Sequence, residues 1–212
     1  MCGIIGIQNN SEAATLAYMG LYAQQHRGQE GAGVVSSDGT VLHRHMGQGL
    51  VSDVFSDSAV FDSLIGDSAI GHVRYSTTGN SDPKNVGPLT FNMGDYSLSI
   101  AHNGNLVNLD EIRKELQENG ALFQTSTDTE IIIHLLAREK GDTLADKLEK
   151  VLQKIEGAYS LILLSPSEII AVRDPYGIRP FCMGKLQDTI VFASETCALD
   201  LLGAEYIREV NP

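Results

Sequence analysis

A cysteine stands second in this chain, directly after Met1, and the apolar run Gly3-Ile4-Ile5-Gly6-Ile7 follows it. Loss of Met1 would make Cys2 terminal, with a free α-amine and a thiol on one residue. An α-amine titrates at roughly 7.7–8.0, so at neutral pH an appreciable fraction is neutral and can accept a proton. A thiol needs only such a neighbouring base to act as a nucleophile. The run Ile4 to Ile7 reads as a buried strand that would hold this terminus rigidly, where most termini fray. The same residues also fit a plainer reading, in which Cys2 is a small apolar residue opening an edge strand.

An amide hydrolase built on a terminal cysteine needs donors for a tetrahedral oxyanion, groups that hold the substrate, and a means of excluding water. Asn103-Gly104, at the end of the strand expected over Ser97–His102, offers a side-chain NH₂ beside an uncovered backbone N–H. Removing one such donor typically costs about 2.7–4 kcal/mol of transition-state stabilisation. The pair equally fits an ordinary Asn-Gly turn. Arg74 ends a strand before a long loop, and its guanidinium could grip a carboxylate with two prongs or sit on the surface. Asp128, among Ser126, Thr127 and Thr129, reads locally as a helix cap; in a sharper reading it accepts hydrogen bonds from a substrate ammonium. Arg74 and Asp128 together would recognise an α-amino acid. His72 and His102 read as core or supporting histidines, because the α-amine already supplies a base.

The composition narrows the setting. A chain of 212 residues makes one large domain or two small ones, and 42% hydrophobic residues exclude disorder. No apolar run approaches the roughly 20 residues of a membrane span, and no export signal follows Met1. The three cysteines, Cys2, Cys182 and Cys197, form neither a disulfide framework nor a metal-ligand spacing. A reducing, cytosolic setting is expected, with no metal and no cofactor. A formal charge of −12 argues against nucleic acid as a partner.

Strand and turn signals dominate, with helices clustered in the middle. Asn10 or Ser11 is expected to cap a helix running to about Gln25, with Leu16, Met19 and Tyr22 at helical spacing and Gly28 as a stop. The glycines of Gly28-Gln29-Glu30-Gly31-Ala32-Gly33 mark a tight loop or a close backbone approach before a strand over Val34–Ser36. Ser37-Asp38-Gly39 is a hairpin signal, with Val41–Gln48 as the return strand. Residues 50–65 read as weakly helical. A strand from Ala69 runs into a polar loop that extends to about Gly87-Pro88. Asn108 with Glu111 is expected to cap a helix that stops at Gly120; Ser126–Glu130 and Thr143 open two more. Strands Ala158–Leu164, Glu168–Arg173, Pro180–Leu186 and Thr189–Ala193 and a helix over Glu195–Leu202 complete the chain. This order suggests antiparallel sheets covered by helices.

Six motifs in series carry a family resemblance: Met1-Cys2-Gly3-Ile4, Arg27-Gly28, Gly71-His72-Val73-Arg74-Tyr75, His102-Asn103-Gly104, Thr127-Asp128-Thr129-Glu130 and Glu156-Gly157-Ala158-Tyr159. Across essentially its whole length the chain resembles the glutaminase domain of the N-terminal-nucleophile, or class II, glutamine amidotransferases. Gln25-His26-Arg27-Gly28-Gln29-Glu30-Gly31-Ala32-Gly33 and Arg173-Asp174-Pro175-Tyr176-Gly177-Ile178-Arg179-Pro180 resemble the amidophosphoribosyltransferase branch rather than the hexosamine-forming one.

The resemblance implies an α+β fold, a four-layer αββα sandwich of two antiparallel sheets (the Ntn-hydrolase fold), as a single domain over residues 1–212. It implies Cys2 as nucleophile, Asn103 and Gly104 as the oxyanion hole, and Arg74 and Asp128 as binders of the glutamine α-carboxylate and α-ammonium. Thr77 would line the same loop and Arg27 would shape the pocket. Residues from Arg74 to about Lys84 would form the loop that closes over glutamine. Ammonia released from L-glutamine would serve phosphoribosylamine formation from phosphoribosyl pyrophosphate in purine synthesis. No phosphate-cradling loop precedes Asn211-Pro212, so the chain is expected to need a missing phosphoribosyltransferase domain or a separate synthase chain, and it is compatible with a homo-oligomer. The alternatives are a glutaminase domain of another class II amidotransferase, a terminal-cysteine hydrolase of another amide, and a glutamine-binding regulatory domain without turnover.

Overall fold

The computed structural model describes residues 1–76 and 82–212. In chain order the elements are β1 (Gly3–Gln8), α1 (Ala13–Ala23), β2 (Gly31–Ser37), β3 (Leu42–Gln48), α2 (Val51–Val54), β4 (Ser68–Arg74), β5 (Leu89–Asn92), β6 (Ser97–Leu106), α3 (Leu109–Glu118), α4 (Thr129–Arg138), α5 (Leu144–Leu152), β7 (Gly157–Leu164), β8 (Ile169–Arg173), β9 (Cys182–Leu186), β10 (Thr189–Ala193), α6 (Thr196–Leu202) and β11 (Glu205–Glu209). Among the described residues the strands form a seven-stranded sheet, in the order β11-β9-β10-β1-β4-β2-β3, and a four-stranded one, β5-β6-β7-β8. The pairings within both sheets are antiparallel.

The alternation along β1 shows why the sheets stack. Ile5 and Ile7 point to one face, where they meet Ala17 and Leu21 of α1 and Leu199 of α6. Ile4 points to the other, where it packs with Ile70, Ile162 and Leu164 between the two sheets. Leu161 and Leu163 of β7 turn away from that seam and pack under Ile132, Leu136 and Leu148. Helices, sheet, sheet and helices therefore make four layers, the αββα sandwich expected. β1 is hydrogen-bonded on both sides, by β10 and by β4, so Cys2 leads into a central strand and not an edge.

Several local expectations give way to longer-range packing. The face of α1 turned to the core carries Ala13, Ala14, Ala17, Gly20 and Leu21, while Tyr22 is exposed. Small side chains let this helix lie close on the sheet, which a count of large apolar residues does not detect. Asn10 does not cap α1; its Oδ1 accepts from the Glu12 N–H at 2.8 Å, in the turn that launches the helix. Gly31-Ala32-Gly33 lie inside β2 rather than in a loop. A Cβ on Gly33 would come within 2.5 Å of the Gly87 carbonyl, so the glycine admits a close backbone approach. Asn108 does not cap α3 either: its Nδ2 donates to Lys154 O and its Oδ1 accepts from Glu156 N–H, tying α3 to the turn before β7. Thr143 and Asp146 do form a reciprocal capping box on α5. β5 and β11 escaped the sequence reading. Leu89–Asn92 has only four residues, and Glu205–Glu209 is exposed throughout, so neither carries a clear burial alternation.

Candidate active site

β1 and β4 deliver two of the expected residues side by side. Gly3 pairs with Val73 in the sheet register, which sets Cys2 beside Arg74 and Tyr75. The Cys2 thiol donates to the Tyr75 carbonyl at 3.4 Å and lies 3.5 Å from the Tyr75 N–H. Burial pushes this thiol above its usual pKa, while the Tyr75 N–H, Arg74 and the charge of the chain terminus pull it back. The group is therefore a protonated thiol at neutral pH, and it needs a base before it can attack.

The backbone of Cys2 is held from behind. Arg27 is buried in the 3₁₀ turn that follows α1, and its Nε donates to the Cys2 carbonyl at 2.9 Å. Its Nη1 is paired with Glu195 at the start of α6. Asn103, with its amide oriented to satisfy its surroundings, donates from Nδ2 to the same Cys2 carbonyl at 3.0 Å and accepts from Arg27 Nη2 at 3.1 Å. Two residues along, Ile4 N–H donates to Ser194 Oγ at 3.0 Å. Arg27 thus holds the Cys2 backbone from behind and is not among the residues that line the cavity. Glu195 and Ser194 were not foreseen: they lie more than 160 residues from their partners in sequence, and no local spacing signals such a pair.

Asn103-Gly104 is neither a turn nor a strand end. Both residues lie inside β6, paired with Ser160 and Tyr159 of β7. A Cβ on Gly104 would sit 2.3 Å from the Ala158 carbonyl and 2.7 Å from Tyr159 Cα, so the strand admits no side chain there. Gly104 lines the cavity that also receives Cys2; Asn103 sits behind it, on the Cys2 carbonyl.

That cavity, of about 30 Å³, is lined by Cys2, Arg74, Tyr75, Gly104 and Asp128 together with His72 and His102. As it stands it has room for little more than water. Arg74 is buried; its Nη1 donates to the Asn85 carbonyl at 3.0 Å, and Glu30 lies 3.9 Å from its Nε. Arg74 Nε and Nη2 have no hydrogen-bond partner among the described residues. Glu30 also accepts from the backbone and hydroxyl of Ser76, fastening the start of the loop after β4 to the sheet. Glu30 stood in a motif of the sequence reading without a role.

Asp128 precedes α4 but does not cap it. Its carboxylate turns instead to β6, accepting from the Leu106 N–H at 3.3 Å and lying 3.2 Å from His102 Nδ1. Burial alone would raise its pKa; His102 and the Leu106 N–H outweigh this and hold it below the ordinary carboxylate range. His72 is buried and pushed down to about 3, first by loss of hydration, then by Arg74 and His102. It is neutral at physiological pH; its ring faces the backbones of Gly87 and His102, but neither ring nitrogen makes a hydrogen bond of ordinary geometry among the described residues. Thr77 and the middle of the expected glutamine loop, residues 77–81, lie outside the described residues.

Comparison with known proteins follows the same lines. A family model described as a glutamine amidotransferase domain matches residues 72–201. The whole chain is similar to amidophosphoribosyltransferase 2, chloroplastic, of Arabidopsis thaliana, at 51% identity over 38% of that protein. It is 46% identical to the amidophosphoribosyltransferase of Bacillus subtilis, over 44% of that protein. A solved structure described as the allosteric regulatory enzyme of purine biosynthesis superposes on all of this chain and on 45% of its own, with a TM-score of 0.96 and 46% identity. The chain thus spans less than half the length of the relatives it matches.

Proposed function

This chain belongs to the glutamine amidotransferase domain family, and from that premise we propose that it hydrolyses L-glutamine to glutamate and ammonia through Cys2. The observation that carries the proposal is a cavity in which a protonated thiol, a buried guanidinium with two nitrogens that have no hydrogen-bond partner among the described residues, and an ionised carboxylate meet. A free α-amino acid offers a carboxylate to the first charge and an ammonium to the second. Its side-chain amide then lies toward the thiol.

In the proposed reaction, Met1 is removed and the α-amine of Cys2 takes the thiol proton. The α-amine of Met1 already lies below its usual value of 8.0, chiefly through burial, so an amine one residue deeper would be held as a neutral base. Sulfur adds to the side-chain carbonyl carbon. The oxyanion is held by the Gly104 N–H, which lines the cavity, with the second hydrogen of the Asn103 Nδ2 as the other donor; its first stays on the Cys2 carbonyl and keeps Asn103 part of the framework. Collapse of the intermediate breaks the C–N bond, and the amine returns its proton to the departing ammonia. Water, giving its proton to the amine, adds to the γ-glutamyl thioester; glutamate leaves and the thiol is restored. Arg27 and Glu195 hold the Cys2 backbone through this cycle, and neither exchanges a proton.

By the names of the relatives, the ammonia would pass to a phosphoribosyl acceptor site in a longer protein or a partner chain. A reducing compartment suits Cys2, Cys182 and Cys197, which are all free thiols; none of the described helices is long and apolar enough to cross a membrane. The discriminating experiment compares glutamine, asparagine and γ-glutamyl anilides as substrates. Turnover of glutamine at least about tenfold above asparagine supports the reading, since one misplaced methylene is worth about 1–3 kcal/mol. Equal turnover of both contradicts it.

A further inference from the structure

Outside the cavity, a second set of donor atoms converges on the far side of Arg27. A ring nitrogen of His26, a carboxylate oxygen of Glu195 and the sulfur of Cys197 all lie within 4.8 Å of one another. His26 stands in the 3₁₀ turn after α1, Glu195 just before α6 and Cys197 in the first turn of α6, so the seven-stranded sheet and its two covering helices bring the set together.

We propose that His26, Glu195 and Cys197 form a binding site for a borderline divalent transition metal, with Zn²⁺ as the type, and that its occupation loosens the hold on the nucleophile's backbone through Glu195 and Arg27 and so slows the reaction. Imidazole nitrogen, carboxylate oxygen and thiolate sulfur are a zinc donor set, and hard cations such as Ca²⁺ or Mg²⁺, which take oxygen, are poorly served by it. Zinc bonds of about 2.0–2.3 Å around a tetrahedral ion separate neighbouring ligand atoms by roughly 3.3–3.8 Å. Cys197 Sγ lies 3.7 Å from Glu195 Oε2, inside that range. His26 Nε2 lies 2.8 Å from the same oxygen and must draw back by about half an ångström. Its side chain is 58% exposed and free to do so. The fourth position opens to solvent. Binding releases the Cys197 thiol proton to water. The Arg27 guanidinium opposes the ion, while carboxylate and thiolate together more than balance it. This places the affinity below that of a four-ligand structural zinc site.

The coupling follows from the two oxygens of Glu195. Oε2 faces His26 and Cys197, whereas Oε1 is paired with Arg27, whose Nε holds the Cys2 carbonyl. A dication on Oε2 drains charge from the carboxylate that anchors Arg27, and so loosens the grip on the Cys2 backbone. This second step rests on the glutaminase reading; the metal site itself does not.

The test uses Co²⁺ on the Cys2→Ala protein, where the nucleophile cannot act as a competing ligand. A thiolate-to-cobalt charge-transfer band that saturates at one equivalent is expected. Cys2→Ala/Cys197→Ser should lose the band, and Cys2→Ala/His26→Ala should need at least about tenfold more metal to reach half saturation. Circular dichroism of each variant confirms that the fold is retained. A band that survives Cys197→Ser, or no band in the Cys2→Ala protein, overturns the site. On the protein with Cys2 intact, Zn²⁺ should slow glutamate release at a half-effect concentration that rises at least about tenfold in Cys197→Ser. An unchanged concentration overturns the coupling. Metal-free turnover of that variant reports the glutaminase reading separately.

Discussion

Around the Cys2 carbonyl, Arg27, Asn103 and Glu195 interlock so that each finds a partner, whereas on the thiol side Arg74, His72 and His102 keep buried nitrogens without one among the described residues. The first region resembles an ordinary protein interior, where buried polar groups are satisfied. The second carries a standing cost, because each unpaired buried group forfeits about 1–3 kcal/mol of lost hydration. A fold keeps such a cost where a ligand removes it. The contrast teaches which residues hold the nucleophile still and which are kept open for a substrate, and the two groups should answer differently to substitution.

The largest divergence is expected at Arg74. Arg74→Met removes two charge-assisted hydrogen bonds to substrate, so kcat/KM for glutamine should fall about 10²–10³-fold. The same change removes two nitrogens without a hydrogen-bond partner among the described residues, against the one bond from Nη1 to the Asn85 carbonyl, so chemical denaturation should show a loss no larger than about 1–2 kcal/mol. A loss of several kcal/mol would place Arg74 with the framework instead. Asp128→Asn keeps an acceptor for the Leu106 N–H and loses the charge. It should lower kcat/KM for glutamine about 10²-fold and leave an analogue without the α-amine little affected; an equal loss for both substrates would break the assignment.

The framework side should show the reverse pattern. Arg27→Ala leaves the Cys2 carbonyl with Asn103 as its remaining donor and the Asn103 Oδ1 without one, and should cost about 2–3 kcal/mol in a denaturant melt, with Glu195 partly relieved by solvent. Stability close to the parent would mean that water replaces the guanidinium. The smallest expected effect is a slope at His72. The unfolded chain takes up a proton near pH 6.5, and the folded one refuses it until about 3, so stability is lost as pH falls through that window. The His72 share of the slope approaches about 1.4 kcal/mol per pH unit, and His72→Gln should remove that share, leaving the part from His134, whose pKa burial also lowers. Measurement between about pH 6 and 4.5 keeps clear of Asp128, whose depressed pKa adds its own loss only as pH falls below the ordinary carboxylate value of about 3.9.

What was legible in the sequence follows how far apart the interacting residues are. β1, the hairpin at Asp38-Gly39 and the helix opened by Thr143 are local patterns, and each stands where it was expected, whereas the box expected at Asn108 forms instead at Thr143. The six motifs named Cys2, Arg74, Gly104 and Asp128, and the fold brings these four to one cavity. Local rules misjudged Asp128 as a cap and Asn103-Gly104 as a turn, because a cap signal and an Asn-Gly pair look the same when a facing strand decides their use. Glu195 and Ser194 left no trace, since what matters is a contact across almost the whole chain. The buried face of α1 was misjudged because it is made of small residues.

The most direct test of the central claim is glutamate release from glutamine by protein whose intact mass shows Met1 removed, measured beside Cys2→Ala. The account predicts turnover in the processed protein, none in Cys2→Ala, and none in any fraction that retains Met1. Undiminished glutamate release by Cys2→Ala, or full activity with Met1 still attached, would contradict it.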